Sequence, residues 1–154
     1  MANYLNIKNS TVLNTVKIDT GELLTLVKVN GLQDEIISFF KSEKKVNEAK
    51  GNNKDNLYLT YNENDFALCE FYIFFKGDKI VSFAIRPTYY PECMMRLYTC
   101  EDYRKLGLAT ILLNECETKN LGCLKDNTEA IEFYKNKGFI IDYEYNCMFS
   151  LKKE

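Results

Sequence analysis

The most informative segment of this 154-residue chain reads Leu97-Tyr98-Thr99-Cys100-Glu101-Asp102-Tyr103-Arg104-Lys105-Leu106-Gly107-Leu108-Ala109-Thr110. Its first residues have the pattern of a strand, and apolar residues then recur at helical spacing, at Leu108, Ile111, Leu112 and Cys116. A helix is therefore predicted to start near Gly107. The first amides of a helix have no intrahelical partner, and small residues at 107 and 109 leave this backbone open. With the helix dipole and the charge of Arg104, these N–H groups predict a pyrophosphate site.

On the N-terminal side of this segment, the pattern predicts strands around one helix. Residues 23–29 read as a buried strand that ends at Asn30-Gly31, and residues 32–45 read as an amphipathic helix. Residues 47–65 are polar and predict a loop, with at most one helical turn. Residues 66–75 and 79–86 predict a hairpin, and 93–100 a further strand. Residues 1–20 are interpreted as a loose lead-in or an extra strand.

On the C-terminal side, the pattern continues with alternating strands and helices. Residues 122–124 predict a short strand, and residues 126–137 predict a helix capped by Asp126 or Asn127, with Gly138 just past its end. Residues 139–145 and 148–151 predict closing strands. A three-stranded meander followed by β-α-β-α-β indicates a mixed sheet with helices on both faces.

A second motif lies in the helix predicted at 126–137. It reads Asn127-x-x-Ala130-x-x-Phe133-Tyr134-x-x-Lys137-Gly138-Phe139. Together, the two segments resemble the GNAT superfamily of N-acetyltransferases. The first matches the family's acetyl-CoA motif at Leu97, Tyr103, Arg104, Gly107 and Ala109, and departs from its commonest form with Thr99 in place of Val and Glu101 in place of Pro. The second resembles the family's closing helix.

The resemblance implies a fold, a donor and a set of binding residues. The fold would be a single α/β (α+β) domain over 1–154, a three-layer sandwich with a mixed, mostly antiparallel sheet and helices on both faces, with 1–20 as a loose extension in one alternative. The donor would be acetyl-CoA, without a metal. The residues implied in binding it are Leu97, Tyr98, Thr99, Arg104, Lys105, Leu106, Gly107, Leu108, Ala109, Thr110, Asn127 and Tyr134.

The resemblance also implies direct attack of an amine on the thioester carbonyl. A main-chain N–H near Thr99 would bind the oxyanion, Asn127 the pantetheine arm, and the catalytic Tyr134 would direct its hydroxyl at the thioester sulfur. The chain has no histidine, so the general base is open among Glu92, Glu70 and water alone. A covalent route through Cys100 is disfavoured, because no histidine can activate its thiol.

Composition indicates the class of protein, the partners that it does not bind and its cellular compartment. The hydrophobic fraction of 46% is typical of a globular protein, and a net charge of −2 lacks the basic character of a nucleic-acid-binding protein. The N-terminus has no signal-peptide pattern and no segment is apolar enough to span a membrane, so we expect a cytoplasmic protein that binds no membrane. Six cysteines without a CxxC pair predict reduced thiols.

Several alternatives remain open at this point. The same fold could hold an acyl-CoA without catalysis or serve as a protein-interaction module, it could transfer a longer acyl group, or the glycine motif could be accidental in a small α+β domain. The amine acceptor is not indicated by the residues. Tyr89 and Tyr90 are candidates for lining its pocket, or for packing. A homodimer is one oligomeric state that the resemblance allows.

Overall fold

The computed structural model describes residues 7–153, which form nine strands and four α-helices. The strands are β1 (Ser10–Lys17), β2 (Leu23–Asn30), β3 (Cys69–Lys76), β4 (Lys79–Pro87), β5 (Cys93–Met94), β6 (Arg96–Thr99), β7 (Asn120–Leu124), β8 (Phe139–Tyr145) and β9 (Met148–Lys153). The helices are α1 (Asp34–Ala49), α2 (Glu63–Phe66), α3 (Leu108–Glu115) and α4 (Thr128–Asn136). Short 3₁₀ segments cover Asn53–Leu59 and Glu101–Tyr103.

The strands form two sheets rather than one continuous sheet. The first has the order β1-β2-β3-β4-β6 and is antiparallel throughout, with Val27 opposite Ile73 and Phe83 opposite Tyr98. The second has the order β5-β7-β9-β8, in which the β5–β7 pair is parallel. The predicted mixed, mostly antiparallel pairing is confirmed, and it is divided between two sheets that share the chain at residues 93–99.

The division occurs at Met95. The sequence predicted one strand over 93–100, but Cys93 and Met94 pair with β7, whereas residues 96–99 pair with β4. Met95 donates its N–H to the Ile85 carbonyl at 2.8 Å, and Arg96 also lies opposite Ile85. Two residues therefore face one, which is a β-bulge that bends the strand. Period-2 patterning carries no signal for one extra residue, which is why the interruption was missed.

Helices cover both faces of the first sheet. The Phe83 ring on β4 lies 6.1 Å from Phe39 and 5.4 Å from Phe40 on α1, measured between ring centroids. Arg86, at the opposite parity on the same strand, donates to the Cys116 carbonyl at the end of α3 at 2.7 Å. Because side chains alternate along a strand, α1 and α3 lie on opposite faces. The predicted three-layer arrangement is confirmed.

Several predicted element bounds are corrected. Helix α1 runs to Ala49 rather than 45. Residues 47–65 also hold a 3₁₀ segment, and the short α2 is the one helical turn that the prediction allowed there. Phe66 ends α2 and is not the start of a strand, because the cap Asn62 accepts from the N–H groups of Asn64 and Asp65. Of the two interpretations of 1–20, the extra strand is right for Ser10–Lys17, and residues 1–6 lie outside the described part.

An ion cluster between β2, β3 and β4 joins the sheet to α3. The Glu70 carboxylate accepts from Arg86 Nε at 2.7 Å and lies 2.8 Å from Lys28 Nζ, and its side chain is only 14% exposed. Burial alone would raise the pKa of Glu70, but the bonds from Lys28 and Arg86 outweigh it and hold the pKa below its usual value. The cluster therefore stabilises the folded state in its ionised form.

We expect Glu70→Gln to lower the free energy of unfolding by about 1–3 kcal/mol at pH 7, because Arg86 is left half-paired in a buried position. The folded pKa of Glu70 is depressed, so its contribution is present above the unfolded pKa and is lost as the pH falls through the folded pKa. Urea titrations should therefore show the difference from wild type shrinking below about pH 4. The control is Glu144→Gln, whose carboxylate is 63% exposed beside Lys125. A difference in the free energy of unfolding between wild type and Glu70→Gln that stays constant with pH would contradict this account.

Candidate functional site

A cleft opens where the two sheets separate. Strands β5 and β7 pair only over Cys93↔Asn120 and Met94↔Leu121. Beyond these pairs, and within residues 7–153, β6 is bonded to β4 alone and residues 122–124 of β7 are bonded to β9 alone. Two free strand edges therefore face the space between the sheets. An unpaired edge offers N–H and C=O groups to a ligand that lies along it.

The groups on the β6 edge follow from the pairing alternation. The N–H of Cys100 bonds the Val81 carbonyl of the first sheet at 2.9 Å. In an antiparallel pair the bonded residues alternate, so the N–H groups of Leu97 and Thr99 point away from β4 and towards the cleft. These two predicted residues can therefore bind through their main chain. The Thr99 hydroxyl is engaged elsewhere, 2.8 Å from Ser82 Oγ.

Tyr98 departs from its predicted place. Its hydroxyl donates to Glu43 on α1 at 2.7 Å and accepts from Asn47 Nδ2 at 3.2 Å, and its ring stacks on Phe83. The side chain is thus part of the layer under α1 and does not face the cleft. That Tyr98 is among the donor-binding residues stays a prediction, and strand alternation turns its side chain to the opposite side from Leu97 and Thr99.

A run of free amides continues from the end of β6 into α3. Among residues 7–153, no acceptor is found for the backbone N–H groups of Lys105, Leu106, Gly107, Leu108, Ala109 and Thr110, and the first helical bond is from Ile111 to the Gly107 carbonyl at 3.2 Å. Positive φ values of 62° at Lys105 and 85° at Gly107 curl the chain here. Such a concave set of N–H groups at a helix N-terminus fits a pyrophosphate.

Gly107 is required by this geometry. It is the N-cap of α3, with φ 85°, and a Cβ atom built there would meet no heavy atom within 4 Å. The open space in front of Gly107 is the space that an anion on the amides would fill. A side chain at this position would therefore be strained and would also project into the site.

Arg104 is less free than the sequence suggested. Its Nε donates to the Thr99 carbonyl at 2.8 Å, and its Nη2 lies 3.1 Å from Asp55 Oδ2. The predicted planar donor fork is thus used within the protein. Its charge lies at the cleft but is already paired.

Asn127 and Tyr134 lie on the other wall of the cleft, on α4. Asn127 is the N-cap of α4, where its Oδ1 accepts from the Ala130 N–H at 3.2 Å, and its Nδ2 donates to the Tyr58 hydroxyl at 2.9 Å. Tyr134 is buried between Phe133 and Phe139, with ring centroids 5.3 and 5.8 Å away. No hydrogen bond of its hydroxyl is found in residues 7–153. The hydroxyl is thus available to a ligand.

The environment keeps Tyr134 protonated. Burial raises the pKa of Tyr134 well above its usual value, and the nearby Cys123 and Tyr58 raise it further. A tyrosine in this state donates a hydrogen bond but does not readily give up its proton. This chemistry suits stabilisation of a developing anion by a neutral O–H group.

The two base candidates differ in their surroundings. Glu70 is held in the ion cluster with Lys28 and Arg86, and its lowered pKa makes it a weak base. Glu92 is exposed, with its carboxylate 3.7 Å from Lys119 Nζ. Neither is brought to the cleft by a contact with Asn127 or Tyr134.

The remaining candidates lie outside the chemistry of the cleft. Tyr89 and Tyr90 are 71% and 52% exposed and are loop surface. Burial and the Glu43 carboxylate raise the pKa of the Cys100 thiol, so this cysteine is a poor nucleophile.

Three residues at the cleft were not found from the sequence: Asp55, Tyr58 and Arg96. The first two lie in residues 53–60, which we call the strap, and the third donates from β6 to the strap carbonyls of Leu57 and Thr60 at 3.1 and 3.0 Å. Asp55 and Tyr58 belong to a polar segment without periodicity, so neither pattern nor motif marks them. Only the fold brings them to the motif residues.

The described part of the chain has no helix long and apolar enough to cross a membrane. Within residues 7–153, no group of three or more His, Cys, Asp or Glu side chains is placed to hold a metal ion. All six cysteines are free thiols.

Comparison with solved structures gives the fold. The chain is similar to PaiA N-acetyltransferase from Thermoplasma acidophilum in complex with coenzyme A, with a TM-score of 0.58 and 15% identity over 85% of this chain and 98% of that chain. It is also similar to a GNAT-family acetyltransferase from Listeria monocytogenes (TM-score 0.59, 13% identity, 92% and 99% covered). For Naa50 from Arabidopsis thaliana, in complex with the bisubstrate analogue CoA-Ac-MVNAL, the TM-score is 0.53, with 19% identity and 85% and 98% covered.

Sequence comparison identifies the domain. No curated protein sequence gives a significant match to this chain. Residues 67–141 match the family model of the acetyltransferase (GNAT) domain, and this range includes the β5–β6 interruption, the free amides, all of α4 and the start of β8. Residues 67–141 therefore match an acetyltransferase (GNAT) domain, and the solved structures show that the chain shares the fold of these acetyltransferases.

Proposed function

We propose that the protein is an N-acetyltransferase that moves the acetyl group of acetyl-CoA directly to an amine. The observation that carries the proposal is the continuity of the cleft. Its free β6 edge is followed, after the 3₁₀ turn Glu101–Tyr103, by the six unpaired amides of residues 105–110 at the start of α3. A long ligand with an extended arm and an anionic pyrophosphate matches that sequence of groups. The family match supports acetyl transfer as the reaction class.

The donor would be held mostly by the main chain. We assign the pyrophosphate to the N–H groups of residues 105–110, with charge from Arg104, and the pantetheine arm to the edge of Leu97 and Thr99 and to the amide of Asn127. Tyr98 is given no contact with the donor, because its carbonyl accepts from Ser82 Oγ and its hydroxyl donates to Glu43. Fixing the donor in this way also places its carbonyl, which is where the amine must attack.

Two groups would stabilise the charge that develops during transfer. The Thr99 N–H points into the cleft and is a candidate donor to the oxyanion. The Tyr134 hydroxyl would donate to the thiolate that leaves. Full proton transfer from a tyrosine of raised pKa to a thiolate of ordinary pKa is unfavourable, so Tyr134 acts by hydrogen bonding.

Deprotonation of the amine is assigned to no side chain. Glu70 is a weak base in its ion cluster and Glu92 is exposed, so water in the cleft is the remaining route. An acceptor with an α-amine of pKa about 7.7–8 needs less help than a lysine-like amine of pKa about 10.4. The free cysteines also support a reducing, cytoplasmic setting.

The test is a calorimetric titration with acetyl-CoA followed by a thiol-release assay with a panel of amines. We expect a dissociation constant in the micromolar range, about −7 to −8 kcal/mol, and amine-dependent release of CoA. Binding without release for any amine class would favour a catalytically idle acyl-CoA-binding module. Absence of binding by a demonstrably folded protein would contradict the proposal and favour an interaction domain.

A further inference from the structure

The strap, residues 53–60, crosses the cleft from one wall to the other. On the β6 side, Arg96 holds the Leu57 and Thr60 carbonyls, and Arg104 pairs with Asp55. On the α4 side, Asn127 donates to the Tyr58 hydroxyl at 2.9 Å. The strap therefore links β6 of the first sheet to the start of α4, in the region where β6 and β7 do not pair.

The middle of the strap is held by bonds to α1 that are separate from its contacts with Arg104 and Asn127. Asn56 accepts from Asn47 Nδ2 at 3.0 Å and donates to the Lys44 carbonyl at 3.4 Å, and both partners lie on α1. These bonds, like those of Arg96 to the carbonyls, involve no group that we assign to the donor. The strap can therefore remain attached to the protein when its other contacts are broken.

Two strap contacts use groups that we assign to acetyl-CoA. Asp55, with a side chain only 16% exposed, supplies a carboxylate to Arg104, and Tyr58 takes up the Nδ2 of Asn127. A pyrophosphate near Arg104 would meet the negative charge of Asp55, and an amide carbonyl of the pantetheine arm would compete with Tyr58 for Asn127. In each case the strap provides a hydrogen-bond acceptor to the same protein group that would bind an acceptor of the ligand.

We propose that the strap is a self-inhibitory latch: Asp55 and Tyr58 occupy Arg104 and Asn127 in the free protein, and acetyl-CoA displaces them on binding. This inference rests on the proposed function, since the ligand that opens the latch is the proposed donor. Affinity is then reduced by the cost of breaking two polar contacts. The acetyl-CoA-bound state and the latched state exclude each other because both use the hydrogen-bond donors of Arg104 and Asn127.

Asp55→Asn removes the charge of the latch while keeping the shape of the side chain. We expect acetyl-CoA to bind about two- to fivefold more tightly, the range that one partly exposed ion pair carries. The matched control is Glu48→Gln on α1, which changes the net charge equally and has no ion pair within the described residues. Equal or weaker binding by Asp55→Asn, relative to this control, would overturn the latch.

Hydrogen exchange measured by mass spectrometry tests displacement in the wild-type protein. On addition of acetyl-CoA, we expect slower exchange at residues 105–110 and faster exchange at residues 53–60. Protection of 105–110 with unchanged or slower exchange in the strap would overturn the latch and leave the proposed function standing. No protection and no heat of binding in wild type and in Asp55→Asn would instead show that the proposed function fails.

Discussion

Replacement of Gly107 by glutamate is expected to abolish detectable acetyl-CoA binding, with an affinity loss of more than about 100-fold. The side chain would project into the open space in front of the free amides and bring a negative charge to the proposed pyrophosphate site. Charge-assisted hydrogen bonds carry about 1.5–3 kcal/mol each, so losing two of them suffices for this loss. Calorimetric titration measures the effect.

A glutamate at positive φ also strains the backbone, and this cost must be separated from the loss of the site. Gly31 has the same φ of 85° at the end of β2, with its nearest contact 3.5 Å away at the Ala67 carbonyl. Gly31→Glu should share the strain, about 1–3 kcal/mol in stability, and retain acetyl-CoA binding. Equal loss of binding in both variants would show that the effect of Gly107→Glu is one of folding.

Replacement of Tyr134 by phenylalanine is expected to lower kcat by about 10- to 100-fold, with the affinity for acetyl-CoA nearly unchanged. The variant removes one hydrogen bond to a charged leaving group, which carries about 1.5–3 kcal/mol. Because the Tyr134 hydroxyl has no partner within residues 7–153, its removal breaks no bond of the described structure. The melting temperature should therefore be retained.

Tyr143→Phe serves as the control, because its side chain is 58% exposed on β8 and outside the cleft. Steady-state rates with a fixed amine and single-turnover rates should both fall for Tyr134→Phe alone. If turnover of Tyr134→Phe equals that of wild type, the tyrosine has no part in the reaction and only fills the space between Phe133 and Phe139.

Local patterns predicted the elements that end at marked residues. Gly107 and Asn127 mark the starts of α3 and α4, and both act as N-caps in the structure. Caps and periodicity therefore predicted the order of strands and helices, and this order predicted the three-layer arrangement. Arg104, Asn127 and Tyr134 could be predicted as site residues because they lie in motifs of fixed spacing.

Features that depend on pairing between distant segments could not be predicted. The bulge at Met95 adds one residue to a strand without a change in pattern, so a single strand was expected where the chain passes from one sheet to the other. Asp55 and Tyr58 are ordinary polar-segment residues until the fold brings them to Arg104 and Asn127. A motif position also does not state which face of a strand a side chain occupies, so the bond of Tyr98 to Glu43 on α1 could not be predicted.

The make-up of the cleft bears on how such a protein changes over evolutionary time. Its opening depends on one additional residue in a strand, and the proposed anion site consists of peptide groups that nearly every amino acid possesses. Mutation can exchange most side chains around these groups without removing them. Descendants can therefore keep the same machinery while their sequences drift apart, in keeping with shared architecture at identities of only 13–19%.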